Sequence, residues 1–122
     1  MRKLLIIDDE VGILEEVRDF FSEEGFDVRT ADSGKDGIKL IKEFQPQVLI
    51  LDIKLPDISG LDVLKICKAS SPATKVIVVT GYVDQGIIDE AERLGRDAFL
   101  QKPFDLMCIV DEVEKLIGGT PA

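Results

Sequence analysis

The chain has 122 residues, of which 45% are hydrophobic and 32% are charged; this balance is typical of a single globular domain and excludes a disordered chain. The 15 basic and 24 acidic residues give a net charge of −9, so we expect no direct nucleic-acid contact, which would need a basic surface. The apolar runs are far shorter than the roughly twenty residues that cross a bilayer, and the first residues do not resemble a signal peptide, so we expect a cytoplasmic protein without membrane contact.

Short apolar runs rich in β-branched residues alternate with longer segments of helical spacing. After the first run, Ile13, Leu14, Val17, Phe20 and Phe21 share one helical face, as in a helix that packs on a sheet. The predicted strands are Lys3–Ile7, Asp27–Thr30, Val48–Leu51, Val76–Val79 and Ala98–Leu100.

The later helices carry recognisable start signals. Ser33, Ser59, Asp84 and Asp105 each stand just before a helical segment, where a short polar side chain satisfies the free amides of the first turn. The segments that follow Ser59 and Asp105 contain Cys67 and Cys108, and the sequence has no histidine that could complete a zinc site or activate a nucleophile. We expect both thiols in the core, because buried free cysteine behaves as a small hydrophobe.

The strands are almost continuously hydrophobic, which indicates a parallel sheet covered by helices on both faces. The predicted fold is therefore α/β, a doubly wound five-stranded parallel sheet. We expect one domain over residues 3–118, followed by a flexible tail or linker stub at 119–122. In such folds ligands bind at the carboxyl ends of the strands, where the strand order reverses.

Polar residues follow four of the predicted strands: Asp8, Asp9, Asp52, Thr80 and Lys102. Carboxylates gathered within roughly 5 Å would repel each other by about 3 kcal/mol per ionised pair at an effective dielectric constant near 20. Lys102 supplies one compensating charge, and Mg²⁺ between Asp9 and Asp52 would supply two. A carboxylate nucleophile beside a metal ion, an ammonium and a hydroxyl group favours phosphoryl transfer.

These residues lie in motifs that resemble those of the bacterial response-regulator receiver domains. The resemblance extends from Lys3 to Gly118 and rests on four segments, Ile7-Asp8-Asp9-Glu10, Asp52-Ile53-Lys54-Leu55-Pro56-Asp57-Ile58-Ser59-Gly60, Val79-Thr80-Gly81 and Lys102-Pro103-Phe104. It implies the flavodoxin-like receiver fold and a signalling domain that catalyses its own aspartate phosphorylation and slow dephosphorylation. The implied partners are a sensor histidine kinase or phosphotransfer protein and an output domain or protein. Dimerisation on phosphorylation is common in the family, although no residue here indicates it.

The resemblance also implies a role for each motif residue. Asp52 would become the aspartyl phosphate, by transfer from a phosphohistidine or from acetyl phosphate. Asp9 and Asp52 would bind Mg²⁺ directly, together with the backbone carbonyl of Lys54, and Asp8 would act through a metal-bound water. Lys102 and Thr80 would contact the phosphoryl group.

Three further positions complete the implied site. The Lys102–Pro103 bond would be cis, as it typically is in the family, and this would direct Lys102 into the site. Phe99 matches the aromatic switch position. Lys54 stands where the family often has Met or Asn, so we expect its side chain at the mouth of the cleft, where it would affect the lifetime of the phosphorylated state.

Three other functions share part of this pattern. A phosphatase of the haloacid-dehalogenase type also uses an aspartate nucleophile, but segment 8–12 lacks its second spaced Asp and its Thr. A nucleotide- or flavin-binding module would need a phosphate-binding glycine-rich loop, and no such motif occurs in the sequence. A structural adaptor with the same fold would never accept phosphate.

Overall fold

The computed structural model describes residues 2–81 and 84–118, and in these ranges five strands alternate with five helices. The strands are β1 (Lys3–Ile7), β2 (Asp27–Ala31), β3 (Val48–Asp52), β4 (Lys75–Thr80) and β5 (Ala98–Gln101). The helices are α1 (Val11–Glu23), α2 (Gly34–Phe44), α3 (Gly60–Ser70), α4 (Gln85–Arg93) and α5 (Leu106–Leu116). All five predicted strands are present, within one residue of their predicted ends. The tail predicted at 119–122 lies outside the described residues.

The five strands form one parallel sheet in the order β2-β1-β3-β4-β5. The predicted doubly wound α/β fold is confirmed. The chain moves outward from β1 to β2 and then returns to place β3 on the other side of β1. The strand order therefore reverses between β1 and β3, and a crevice opens beyond their carboxyl ends.

Two separate hydrophobic cores lie on opposite faces of the sheet. Alternate side chains of β1 enter each core, with Leu4 and Ile6 on the face covered by α1 and α5. Leu5 and Ile7 enter the core on the face covered by α2, α3 and α4. Because both faces are covered, every residue of β3 is buried, which explains the uninterrupted hydrophobic run Val48–Leu51 before Asp52. In the described part of the chain, no helix combines the length and the apolar character that crossing a bilayer requires.

Three of the four predicted helix caps are confirmed, since Ser33, Ser59 and Asp84 each accept a hydrogen bond from an amide in the first turn of the following helix. The prediction for Asp105 is wrong. This residue occupies the N-cap position of α5, but its side chain makes no capping hydrogen bond. The amide of Cys108 donates instead to the backbone carbonyl of Asp105, at 2.9 Å.

The two cysteines differ in burial, and the prediction that both lie in the core is wrong for one of them. Cys67 is completely buried, and burial raises the pKa of its thiol to about 11. Cys108 is exposed. The buried positions of α5 are Ile109, Val110 and Val113, and Cys108 falls outside that helical spacing, so its side chain faces solvent.

Candidate functional site

A cleft of about 440 Å³ lies at the carboxyl ends of β1, β3, β4 and β5. It is lined by Asp9, Glu10, Asp52, Lys54, Leu55, Pro56, Thr80, Gly81 and Lys102. Four of the five polar residues predicted at strand ends are in this lining, and Asp8 contacts Lys102 directly. The predicted convergence of these residues on one crevice is confirmed.

Three of the polar residues at the strand ends lie below the protein surface. Asp52 is the last residue of β3 and is only 4% exposed, whereas Asp8 and Thr80 are completely buried. The amide of Asp8 donates to the carbonyl of Ala31 at 3.0 Å, so main-chain bonding to β2 continues past the end of β1. Burial of ionisable groups is costly unless they are paired.

The ammonium of Lys102 lies among three carboxylates. Its Nζ atom is 2.9 Å from Asp8 Oδ2, 3.0 Å from Asp52 Oδ2 and 2.6 Å from Glu10 Oε1. The Lys102 amide donates to the carbonyl of Thr80 at 2.9 Å, which fixes the backbone at the point where the side chain enters the cleft. The Lys102–Pro103 peptide bond is cis, as the sequence resemblance implies.

The site carries more negative than positive charge, and the pKa values of its buried members reflect this. Burial raises the pKa of Asp8, the negative charge of Asp52 raises it further, and contacts with Lys102 and the Glu10 amide oppose the increase. Burial alone would lower the pKa of Lys102, but its bonds to Glu10, Asp8 and Asp52 outweigh that effect and raise it. Lys102 therefore stays protonated at neutral pH.

The contact between Lys102 and Asp8 differs from the contacts that Lys102 makes with Glu10 and Asp52. At 2.9 Å it is an ion pair, but Asp8 Oδ2 does not receive a well-directed hydrogen bond. The other oxygen of Asp8 accepts from the Glu10 amide at 2.9 Å. One oxygen of this buried carboxylate is thus held by its ion pair with Lys102 and by no further partner among the described residues.

The loop after β3 is held tightly around Asp52. Asp52 Oδ1 accepts a hydrogen bond from the Lys54 amide at 3.2 Å, and Lys54 also forms an isolated bridge with Ser59. A Cβ atom on Gly60 would lie 2.2 Å from the carbonyl oxygen of Asp52, so only glycine fits at this close approach. The Lys54 side chain is exposed at the edge of the cleft, where the sequence predicted it.

Residues 4–114 match the response regulator receiver domain family. The chain belongs to this family. It is 32% identical over 115 residues to sporulation initiation phosphotransferase F of Bacillus subtilis, covering 94% of this chain and 93% of that protein. It is 34% identical over 104 residues to the cell cycle response regulator CtrA of Brucella ovis, covering 84% of this chain but 44% of that protein.

Solved structures agree with this assignment. The receiver domain protein (CheY-like) of Methanospirillum hungatei superimposes with a TM-score of 0.92 at 30% sequence identity. The match covers 96% of this chain and 94% of that one. The chain is thus a receiver domain of a two-component response regulator, a class of signalling modules.

The predicted metal-site residues of this receiver domain are not all equally close to one another. Oxygen atoms of Asp8, Glu10 and Asp52 lie within 4.8 Å of each other. Asp9 is exposed and lines the same cleft, but it is not part of that close group. The predicted switch residue Phe99 lies on β5, half-buried against the core beneath α2, α3 and α4, and is not in the cleft lining.

Sequence reasoning missed the contribution of Glu10, which it treated only as part of a motif. The Glu10 amide donates to Asp8 Oδ1 at 2.9 Å, and this bond from an aspartate to the amide two residues further on holds Glu10 beside Asp8. This spacing of two was visible in the sequence. The partner of Glu10 was not, because Lys102 lies 92 positions further along the chain.

Proposed function

We propose that this receiver domain accepts a phosphoryl group on Asp52 and changes conformation to control an output. The observation that carries the proposal is the position of the Asp52 carboxylate. It is buried at the end of β3, reaches the cleft, and lies 3.0 Å from the Lys102 ammonium. This arrangement places a nucleophilic oxygen beside a fixed positive charge, as phosphoryl transfer requires.

In the proposed step, a carboxylate oxygen of Asp52 attacks the phosphorus atom of the donor. A new oxygen–phosphorus bond forms, and the bond from phosphorus to the donor breaks. The electron pair of that bond leaves with the donor, as imidazole nitrogen from a phosphohistidine or as acetate from acetyl phosphate. Lys102 pairs with the transferred group, and the Thr80 hydroxyl donates a hydrogen bond to it. The same groups support slow hydrolysis, in which water attacks phosphorus, the bond to the Asp52 oxygen breaks, and inorganic phosphate leaves while the Asp52 carboxylate is restored.

The residues of the cleft fit a Mg²⁺ ion. Their donors are hard carboxylate oxygens: those of Asp8 and Asp52 lie within 4.8 Å of each other, and Asp9 lines the same cleft. The excess negative charge needs a cation in addition to Lys102. Asp9, Asp52 and the Lys54 carbonyl would hold the ion directly, and Asp8 would act through water. When bound, Mg²⁺ would neutralise charge on the oxygens of the transferring phosphoryl group.

The proposed partners follow from this chemistry. The donor is a sensor histidine kinase or a phosphotransfer protein, and the relative in Bacillus subtilis is itself named a phosphotransferase. The output is either a further domain or a separate protein, since this chain aligns with less than half of the Brucella regulator. Homodimerisation on phosphorylation is a further expectation of the family resemblance.

Mass spectrometry after incubation with acetyl phosphate and Mg²⁺ tests the proposal. We expect one added phosphoryl group on the parent protein and none on Asp52→Asn. The control is Asp32, an exposed residue after β2 at the same end of the sheet, and Asp32→Asn should be labelled like the parent. Equal labelling of Asp52→Asn would refute the proposal, whereas trace labelling of a neighbouring aspartate would not. Steady release of phosphate would indicate a phosphatase. A protein that shows neither labelling nor phosphate release would be a structural adaptor.

The proposed switch requires movement outside the cleft. Phosphorylation adds roughly −1.5 to −2 charge, which should draw Thr80 toward the new oxygens and allow Phe99 to turn inward. We expect backbone chemical shifts to change across Asp84–Lys115, the segment that contains α4, β5 and most of α5. Unaltered shifts there, in a sample shown to be modified at Asp52, would contradict the switch and leave the phosphorylation proposal standing.

A further inference from the structure

We propose that Glu10 holds Lys102 in the unphosphorylated domain and must release it before Lys102 can pair with the phosphoryl group. Glu10 is then a positioning residue that slows phosphoryl uptake. This inference rests on the proposed function, because it assigns Lys102 to the transferred group. Its basis is the number of partners that surround the Lys102 ammonium.

Three carboxylates already surround the Lys102 ammonium, which donates hydrogen bonds to Glu10 and Asp52 and forms an ion pair with Asp8. A lysine ammonium carries three N–H groups, and the Nζ atom of Lys102 has carboxylate oxygens of Asp8, Glu10 and Asp52 at 2.6 to 3.0 Å. With three carboxylate oxygens this close, a phosphoryl oxygen needs one of the carboxylates to give up its place before it can pair closely with Lys102. The identity of the partner that leaves determines the energy cost of the exchange.

Glu10 is the partner that can leave most easily. Asp52 is the acceptor and keeps its negative charge until the bond to phosphorus forms, and Asp8 is completely buried, with its second oxygen bonded to the Glu10 amide. The Glu10 side chain is 58% exposed and makes no capping hydrogen bond at the start of α1. When Glu10 releases Lys102, water can solvate its carboxylate at once, whereas Asp8 would remain charged and buried without a partner.

The charge of Glu10 adds to this effect, because a phosphoryl group is also negative. A general charge effect can be separated from the specific ion pair by means of Glu16. Glu16 lines the adjoining cleft together with Glu10 and Lys102, and among the residues that the structure describes no ion pair joins it to Lys102. Glu16→Gln thus removes the same charge nearby and leaves the Lys102 contacts unchanged.

The experiment compares the rate of labelling by acetyl phosphate at saturating Mg²⁺ in the parent, Glu10→Gln, Glu10→Asp and Glu16→Gln. We expect Glu10→Gln to be labelled about threefold to fivefold faster, the range set by loss of one half-exposed ion pair. Glu10→Asp keeps the charge but is shorter by one methylene group, so it should show most of the same gain. Glu16→Gln should match the parent.

Two further measurements distinguish an effect on Lys102 from a general change in structure. The Lys102 ammonium signal in ¹H–¹⁵N spectra of the unphosphorylated protein should shift in Glu10→Gln and not in Glu16→Gln. The affinity for Mg²⁺ alone should stay within about twofold of the parent in Glu10→Gln, because the carboxylates proposed to hold the ion remain.

The outcomes separate this inference from the proposed function. A parent protein that takes up no phosphoryl group overturns both. A parent that is labelled normally, with Glu10→Gln at an equal or slower rate, overturns only the inference. Slower labelling of Glu10→Gln together with weaker Mg²⁺ binding would assign Glu10 to the metal site. An equal gain in labelling rate in Glu16→Gln would reduce the effect to general charge repulsion. Either result also overturns the inference.

Discussion

The two ends of the central sheet both contain ionised side chains, but their charges are balanced differently. At the amino end of β4, Lys68 Nζ lies 2.8 Å from Asp97 Oδ2 and 3.3 Å from the Thr74 carbonyl, and the same Asp97 oxygen accepts from the Val76 amide at 2.8 Å. One ammonium there meets one carboxylate. At the carboxyl end, the single ammonium of Lys102 meets three carboxylates.

This difference shows which end of the sheet serves stability and which serves chemistry. A balanced pair with additional main-chain bonds joins α3 to the start of β4 and to the turn before β5. An excess of buried negative charge weakens the fold and is retained only where it binds something positive or reactive. Neutralising one aspartate should therefore have opposite consequences at the two ends.

The largest expected effect concerns the affinity for Mg²⁺ of the cleft at the carboxyl end of the sheet. Asp9→Asn should weaken Mg²⁺ binding at least about tenfold, from a parent affinity on the millimolar scale, because a site with few carboxylates and several waters depends on each charge. A Mg²⁺ titration monitored by NMR would measure the change in affinity, with Asp32→Asn as the control. Unchanged Mg²⁺ affinity in Asp9→Asn would show that the metal site has been misplaced.

The next prediction is that removing one aspartate charge changes the free energy of unfolding in opposite directions at the two ends of the sheet. Asp97→Asn should lower the free energy of unfolding by about 1 to 3 kcal/mol, since it leaves Lys68 without its charged partner, and it should leave labelling of Asp52 intact. Asp8→Asn, measured without Mg²⁺, should raise the free energy of unfolding by about 1 kcal/mol, because burial and repulsion outweigh the Lys102 contact.

Urea unfolding at neutral pH would measure both changes. Destabilisation of similar size by Asp8→Asn and Asp97→Asn would contradict the distinction between the two ends. Loss of labelling in a folded Asp97→Asn variant would contradict it as well, because it would give the amino end a part in the chemistry.

A smaller effect is expected at the mouth of the cleft. The exposed Lys54 side chain can pair with a phosphoryl oxygen or obstruct the attacking water, so Lys54→Ala should accelerate loss of phosphate from Asp52 several-fold. Its affinity for Mg²⁺ should hardly change, because any residue supplies the backbone carbonyl. The rate of dephosphorylation after removal of the donor measures this. An unchanged rate would make Lys54 an ordinary surface lysine.

The smallest effect should appear as a dependence of stability on pH. Amides of Lys35 and Gly34 donate to the two oxygens of Asp57 at 2.9 and 2.8 Å and, with the Ile58 amide, hold the pKa of Asp57 below its ordinary value of 3.8. Ionised Asp57 therefore stabilises the native state above pH 3.8, and this contribution is lost as the pH falls through the lowered pKa.

Thermal unfolding of the parent and Asp57→Asn at a series of pH values would test this contribution. Asp57→Asn should be slightly less stable than the parent at neutral pH, and the difference should shrink toward pH 3, in contrast to an Asp32→Asn control. A difference that does not depend on pH would show that the ionised form of Asp57 is not what stabilises the loop after β3.

Much of this protein could be predicted from local patterns of residues. The continuous apolar runs identified a parallel sheet covered on both faces, because a strand flanked by helices has no polar side. The polar residues that follow these runs within two positions then identified Asp8, Asp52, Thr80 and Lys102, since the ends of parallel strands meet at one edge. These conclusions depend on spacing of a few residues, which a sequence displays directly.

Contacts between distant segments could not be predicted in the same way. Glu10 contacts Lys102 across 92 positions, and Asp57 bonds to the start of α2 across 23. The exposure of Cys108 depends on how α5 is rotated against its core. Helical or strand spacing describes which side chains share a face, but strand order, helix rotation and loop closure decide which faces meet. Those features depend on the packing of all elements together, so the partners of Glu10 and Asp57 emerged only from the folded chain.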